Sequence, residues 1–421
     1  MDNLGNFIAN REILKLSIKV IDNQSVYQIT TNDSILYFPE VQQAKDRNPE
    51  EMLIFAQLWC NAPISKIDTL YKLDQWIPFG RLKKDMPIYK LHFSDKQKHE
   101  LYISSKSGEA LQFTNKNSRF WAWIGAIPHW VYFTSLRQNA KLWSNTIIVL
   151  CIAGIVMCIT GIILGFRSYI IQYKKRKKLK SPYKKSLYKW HHIWGFFFGL
   201  FVLTFIFSGM MSLVSVPDWI VKTHDKTLAR KIMMNSSVIP NKYILNCNKI
   251  LQAYPEKIKS IEWDSFGDIP LYKIIVDDRI VVLNASADSI KLLELKEQDV
   301  RHRFEKIHKC DVKISWMTKY DNYYLSRKKE LPLPVFKIEV DDADQSVSYV
   351  DPQTGSTRYY NKNFRANKWT YGALHSYNIK LLTDRPWLWN IVMWVTMIGG
   401  TIVSFTGLFL ALKYIKRKIK R

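Results

Sequence analysis

The chain has 421 residues, 47% of them hydrophobic and 23% charged, so it is not an unbroken bundle of membrane helices. Fifteen of its basic residues sit in two short segments, and the rest of the formal +26 is a diffuse surplus that suits a membrane surface better than a nucleic-acid groove. Five cysteines do not suggest a disulfide framework, although Cys60, Cys247 and Cys310 leave room for one pair.

The N-terminal "MDNLGNFIANREILKLSIKV" has no apolar core of signal-peptide length. Beyond it, "SVYQI" at 25–29 and "PIYKL" at 87–91 share an order of apolar, aromatic, Lys or Gln, apolar. The second continues through "HFSDKQKHELYISSKSGEAL", an alternation broken by Asp, Gly and Ser that predicts β-hairpins with one buried face. "RFWAWIGAIPHWVYF" at 119–133 follows, and then a charge-free apolar window from Trp143 to Phe166. Cys151 and Cys158 lie on one face of that window and read as small buried hydrophobes.

Nine Lys or Arg fall between Lys174 and Lys189, just before "KWHHIWGFFFGL" and a second apolar window, Ile193 to Val216. The next stretch repeats the hairpin signature as "PLYKI" at 270–274 and "PVFKI" at 334–338, with Tyr272 and Phe336, like Tyr89, expected in the core. "RANKWTYGALHSYNI" at 365–379 leads to the third window, Trp387 to Leu412, and a tail with six basic residues. Each window exceeds the roughly 20 residues that cross about 30 Å of hydrocarbon. Both basic segments belong in the cytoplasm by the positive-inside rule, which puts 1–142 and 217–386 on the outer side.

The expected fold is an integral membrane α+β protein with three transmembrane helices and two outer lobes. Its parts are lobe one at 1–118, an interfacial Gly-Ala-His segment at 119–142, a helix at 143–166, a basic loop at 167–192 and a helix at 193–216. Lobe two at 217–364, a second Gly-Ala-His segment at 365–386, a helix at 387–412 and a basic tail at 413–421 complete it.

The order of parts repeats. Two hairpin signatures, a segment with Arg, Trp, Gly-Ala and His, then "LWSN" or "LWN" and a helix ending in "TGIILGF" or "TGLFLAL" occur twice. His129 follows its Gly by four positions and His375 by three. The second unit opens with a helix arriving from the cytoplasm and the first does not, so a fourth, N-terminal helix is expected in a complete relative.

Matched positions in a duplicated protein bring residues together in pairs. His129 and His375 on the outer side suit an iron porphyrin held from both faces, which takes two axial nitrogens and needs an apolar slot. His191 sits above Gly195 and Gly199 at helical spacing, where a flat group can approach the backbone; close helix packing is the alternative use of such glycines. Zinc would want three or four ligands, and the sequence contains no HExxH motif or Cys/His cluster.

The segments "KWHHIWGFFFGLFVLTFIFSGMMSL" and "RFWAWIGAIPHWVYFTSLR" and the "PIYKLHF…LYISSKSGE" hairpin closely resemble the PepSY-associated transmembrane proteins, described as iron-regulated membrane proteins or ferric-siderophore reductases. The resemblance implies a bacterial inner-membrane protein with PepSY-like outer lobes and one or two bis-histidine haem b groups, whose axial ligands by position are His129, His191 and His375. It implies reduction of ferric siderophores or other ferric chelates, since hard oxygen chelators hold ferrous iron less tightly. Members typically begin with a histidine-bearing helix that this sequence lacks.

Arg119, Arg137, Arg365 and Arg385 flank the histidine segments and would either meet a chelate or anchor lipid headgroups. No Walker A run, dinucleotide-binding glycine motif or nucleophile elbow is present, so electrons would come from a quinol or a separate reductase. The alternative function is a non-catalytic, membrane-anchored PepSY protein that binds or regulates a peptidase or another envelope protein.

Overall fold

A computed structural model describes residues 13, 15–21, 24–30, 35–38, 51–57, 59–106, 108–178, 180–225, 227–233, 242–255, 258–276 and 279–419. The extreme N-terminus, on which the expectation of a further helix bears, lies outside these residues.

Apart from the long apolar helices, the chain forms antiparallel sheets with short flanking helices. The first half of the chain supplies β1 (Lys15–Ile21), β2 (Gln24–Thr30), β3 (Ile35–Phe38), β4 (Ile64–Leu70), β5 (Ile88–Phe93), β6 (Glu100–Ser104) and β7 (Ala110–Thr114). The second half supplies β8 (Ile258–Phe266), β9 (Ile269–Val276), β10 (Arg279–Asn284), β11 (Val312–Met317), β12 (Val335–Val340), β13 (Val347–Val350) and β14 (Thr357–Tyr360). All four hairpin signatures lie in strands, β2, β5, β9 and β12. In β5 and β12 the burial alternates identically: Ile88, Tyr89, Leu91 and Phe93 are buried, as are Val335, Phe336, Ile338 and Val340, while the residues between them are half-buried.

Strands β4 to β7 form one four-stranded sheet and β11 to β14 another, each in sequence order. The third sheet crosses the boundary expected between the lobes. Its order is β10-β9-β8-β1-β2-β3, with Leu16 opposite Trp263 and Ile18 opposite Ile261 at the central β1–β8 pair. One core, including Leu16, Ile29, Ile261, Trp263 and Tyr272, therefore draws on both halves of the chain.

Three helices are long and apolar enough to span a membrane: Ala140–Arg176, Ser186–Met211 and Pro386–Ile419. They outrun the apolar windows at their basic ends, because Lys and Arg can continue a helix while their stems lie along lipid. The middle helix takes in His191 and His192 and stops at Met211, short of Val216, with Pro217 following. The middle span packs antiparallel against both others. Ile162 of the first span meets Gly199, and Ile206 meets Gly154; Phe198 lies over Gly399 of the third span, and Val202 over Gly400. The basic segments thus share one end of the bundle and the sheets occupy the other. All five cysteines are free.

Candidate functional site

Each histidine segment hangs between a sheet and a span, and the same devices hold both. Asn115 caps the helix Lys116–Ile124 by accepting from the Ser118 amide, and Asn361 caps Lys362–Asn367 by accepting from the Phe364 amide. In the first segment the helix breaks at Gly125 before a short turn, Ala126–Trp130, that carries His129. In the second a π-helical turn, Lys368–Ala373, runs without interruption into Leu374–Ser376 and His375. The two segments thus deliver their histidines by different backbone routes, and π-turns collect at functional sites.

Two residues beyond each histidine the backbone turns left-handed, at Val131 (φ 50°) and Tyr377 (φ 49°). A β-branched residue there is strained and persists only where its surroundings impose it. The imposing contacts are visible. The Trp143 indole donates to the Trp130 carbonyl at 2.9 Å, and the Trp389 indole donates to the Ser376 carbonyl at 2.8 Å. Each span thereby uses a tryptophan near its start to grip the residue directly after a histidine.

The result is that His129 and His375 face one another, with ring centres 6.1 Å apart and planes inclined by 41°. Tyr371 stacks on the His375 ring at 5.4 Å, Phe205 meets its edge, and Trp130 meets the edge of His129. The Ser208 hydroxyl donates to the Phe205 carbonyl and lies 3.1 Å from His375 Nδ1. Because its one proton is committed to the carbonyl, the hydroxyl accepts from Nδ1–H and leaves Nε2 with a free lone pair. Gly209 faces the same ring, where a Cβ would lie 3.7 Å from His375 Cε1. Burial, reinforced by His129, holds the His375 imidazole below its ordinary pKa.

The two rings help to line an open cavity of about 640 Å³ to which all three spans contribute. Ile147 and Cys151 line it from the first span, Phe205 and Ile206 from the second, and Met393 and Met397 from the third. Cys151 thus faces this cavity, while Ser404 and Thr401 are among its few polar groups.

His191 occupies a comparable setting at the opposite end of the bundle. Its Nδ1 is 2.8 Å from the Thr406 hydroxyl, which donates to the Ile402 carbonyl, and Gly407 faces its ring. Among the described residues no second histidine faces it. His192 has both ring nitrogens engaged, Nδ1 with the Ser181 hydroxyl and Nε2 with the Gly165 carbonyl, so it has no nitrogen to offer. The two glycines below His191 differ: Gly195 has open space on its face, whereas Gly199 is closed off by Ile162 and serves helix packing.

The flanking arginines have structural employment. Arg119 donates to the Lys98 carbonyl and Arg365 to the Gln345 carbonyl, gripping the hairpin turn of its own sheet. Arg137 lies 4.3 Å over the Trp143 ring and near Tyr132 and Phe79, and Arg385 donates to the Leu381 carbonyl of the short helix Lys380–Thr383 that precedes it. Sequence reading gave no role to Ser208 or Gly209, and it marked Trp143, Trp389, Thr406 and Gly407 only as parts of the repeat. The signal for them was present: a hydroxyl residue followed by glycine recurs as Ser208-Gly209, Thr406-Gly407 and Thr160-Gly161, one pair on each span. No family model, curated protein or solved structure matches the chain.

Proposed function

We propose that the chain is a haem-bearing electron-transfer protein of the bacterial inner membrane, with His129 and His375 as axial ligands of a haem b near the outer face, and that it reduces ferric siderophores or other ferric chelates. The observation that carries this reading is the facing pair of imidazoles, 6.1 Å between ring centres, lining a largely apolar cavity. Two imidazoles bound through nitrogen at about 2 Å on opposite sides of one metal put their ring centres roughly 6 Å apart. The cavity has the size and lining of a cofactor pocket. The residues present therefore fit the group.

When bound, a haem supplies a one-electron carrier close to the outer surface. The chain's own residues do the rest. Ser208 and the Phe205 carbonyl fix the His375 tautomer, and Trp143 and Trp389 hold the two histidine turns in register. Phe205, Met393 and Met397 give the cavity an apolar lining. Lobes of PepSY type would present the ferric chelate on the outer side, and the electron would come from a quinol or a reductase at the basic end.

Matched details support a duplicated unit. Besides the two histidine segments, the Tyr102 hydroxyl donates to Asp74 and the Tyr349 hydroxyl to Asp321 in the two four-stranded sheets. Thr160-Gly161 repeats the Thr406-Gly407 pair on the first span, and its glycine faces open space.

The test uses His129→Ala and His375→Ala in full-length protein purified from cells supplied with haem. Each variant is expected to lose the six-coordinate low-spin spectrum and at least tenfold in chelate reduction, measured by trapping ferrous iron with a chromogenic ligand, while still inserting in the membrane. Full haem content and unchanged reduction in both variants would exclude these residues as ligands.

A further inference from the structure

Lobe one holds a second constellation of metal-binding side chains, remote from the spans. Cys60 follows the helix Glu51–Gln57, and Asp95 and His99 lie in the turn that joins β5 to β6. One donor atom from each lies within 4.8 Å of the other two. His99 Nδ1 is 2.8 Å from Asp95 Oδ2 and 3.9 Å from Cys60 Sγ. We propose that Cys60, Asp95 and His99 form a binding site for a zinc-class divalent cation, with water as the fourth ligand.

The donor set narrows the class. A thiolate, an imidazole and one carboxylate oxygen together suit a borderline metal such as zinc; calcium and magnesium want oxygen alone. Tetrahedral zinc with Zn–S near 2.3 Å and Zn–N or Zn–O near 2.0–2.2 Å places its donors about 3.4–3.6 Å apart. The present separations of 2.8 and 3.9 Å bracket those values, so shifts of under about an ångström in these two separations would bring them to tetrahedral spacing. Binding would release the Cys60 thiol proton to solvent, shift the neutral His99 imidazole to the tautomer protonated at Nε2, and replace the His99–Asp95 contact by two bonds to the metal.

The constellation is held in place by other contacts. Asp95 accepts from the backbone amides of Gln97 and His99, and the His99 ring stacks on Phe113 at 4.9 Å with the planes parallel. The Cys60 amide bonds to the Ala56 carbonyl. All three residues are half-buried, which leaves a path for a hydrated ion.

The turn does not require the other two donors. In the equivalent turn between β12 and β13, Asp342 accepts from the Ser346 amide with the same spacing of four residues, and a serine stands where lobe one has His99. His308 approaches Asp342 at 3.3 Å there, from a different element, yet among the described residues no third donor completes that group. Asp95 is thus explained by the hairpin; His99 and Cys60 converging on it are not.

The experiment is zinc binding to full-length protein in detergent, stripped with a chelator, read by metal content, competition with a chromogenic chelator and X-ray absorption at the zinc edge, which haem does not obscure. The expected result is one equivalent with a single sulfur and otherwise nitrogen and oxygen neighbours. Cys60→Ser is expected to remove the sulfur and weaken binding at least tenfold, and His99→Gln to weaken it comparably, with haem content unchanged in both. A wild-type shell without sulfur, or Cys60→Ser and His99→Gln binding zinc as wild type does, would overturn the proposal.

Discussion

His375 shows how one side chain is prepared by its neighbours. Ser208, wholly buried, accepts a hydrogen bond from Nδ1–H and so leaves Nε2 as the nitrogen with a free lone pair. Partners of this kind commonly contribute 10–100-fold to metal affinity. Ser208→Ala is therefore expected to lower haem affinity by about 10–100-fold, measured by titrating haem into protein made without it, while Ser215→Ala, at an exposed residue that does not line the cavity, leaves it unchanged. Equal affinities in the two variants would mean that Ser208 does not orient the ligand. The histidines themselves were legible in the sequence because each stands in a rare local setting of Trp, Gly and Ala that occurs twice. Ser208 was less legible, since a serine inside an apolar helix usually back-bonds to its own carbonyls, as this one also does.

At the level of elements, the two four-stranded sheets carry one polar device each. Tyr102 is fully buried and donates to Asp74, which also receives Lys90; Tyr349 is buried and donates to Asp321. Burial first, and then the neighbouring carboxylates, push both phenols far above their ordinary pKa, so each stays a donor at any pH the protein meets. Removing the donor leaves a carboxylate short of a partner. Tyr102→Phe and Tyr349→Phe are each expected to destabilise the outer part by about 1–3 kcal/mol, seen as a lower thermal midpoint with an unaltered haem spectrum. Midpoints equal to wild type would show that solvent compensates the lost bond.

The strands were readable from their alternation, because period two exposes one face and buries the other. The pairing of β1 with β8 was not. Alternation says which face is inward and carries no information about which distant strand lies alongside. Leu16 and Trp263 therefore gave no sign in the sequence of being opposite one another, and two lobes were expected where one sheet joins both halves.

For the molecule as a whole, the antiparallel bundle puts every basic run at one end and every sheet at the other, which makes orientation a single question. Cys310 is exposed at the sheet end of the molecule, just before β11. In a chain whose other cysteines are replaced by serine, a membrane-impermeant thiol reagent is expected to label Cys310 in intact spheroplasts. Labelling only after lysis would invert the topology and put the His129–His375 pair on the cytoplasmic side. Burial and the nearby acidic residues hold this thiol above its ordinary pKa, so the labelling belongs at mildly alkaline pH.

The central claim is that two histidines from matched segments hold one haem. The most direct measurement is an optical spectrum of the wild-type protein, purified in detergent from cells supplied with haem, oxidised and then reduced with dithionite, together with a haem-to-protein ratio. The account predicts a six-coordinate, low-spin, bis-histidine spectrum in both states and a ratio of at least one. Protein that is folded and membrane-inserted yet carries no haem, or carries it only in a five-coordinate form, would contradict it.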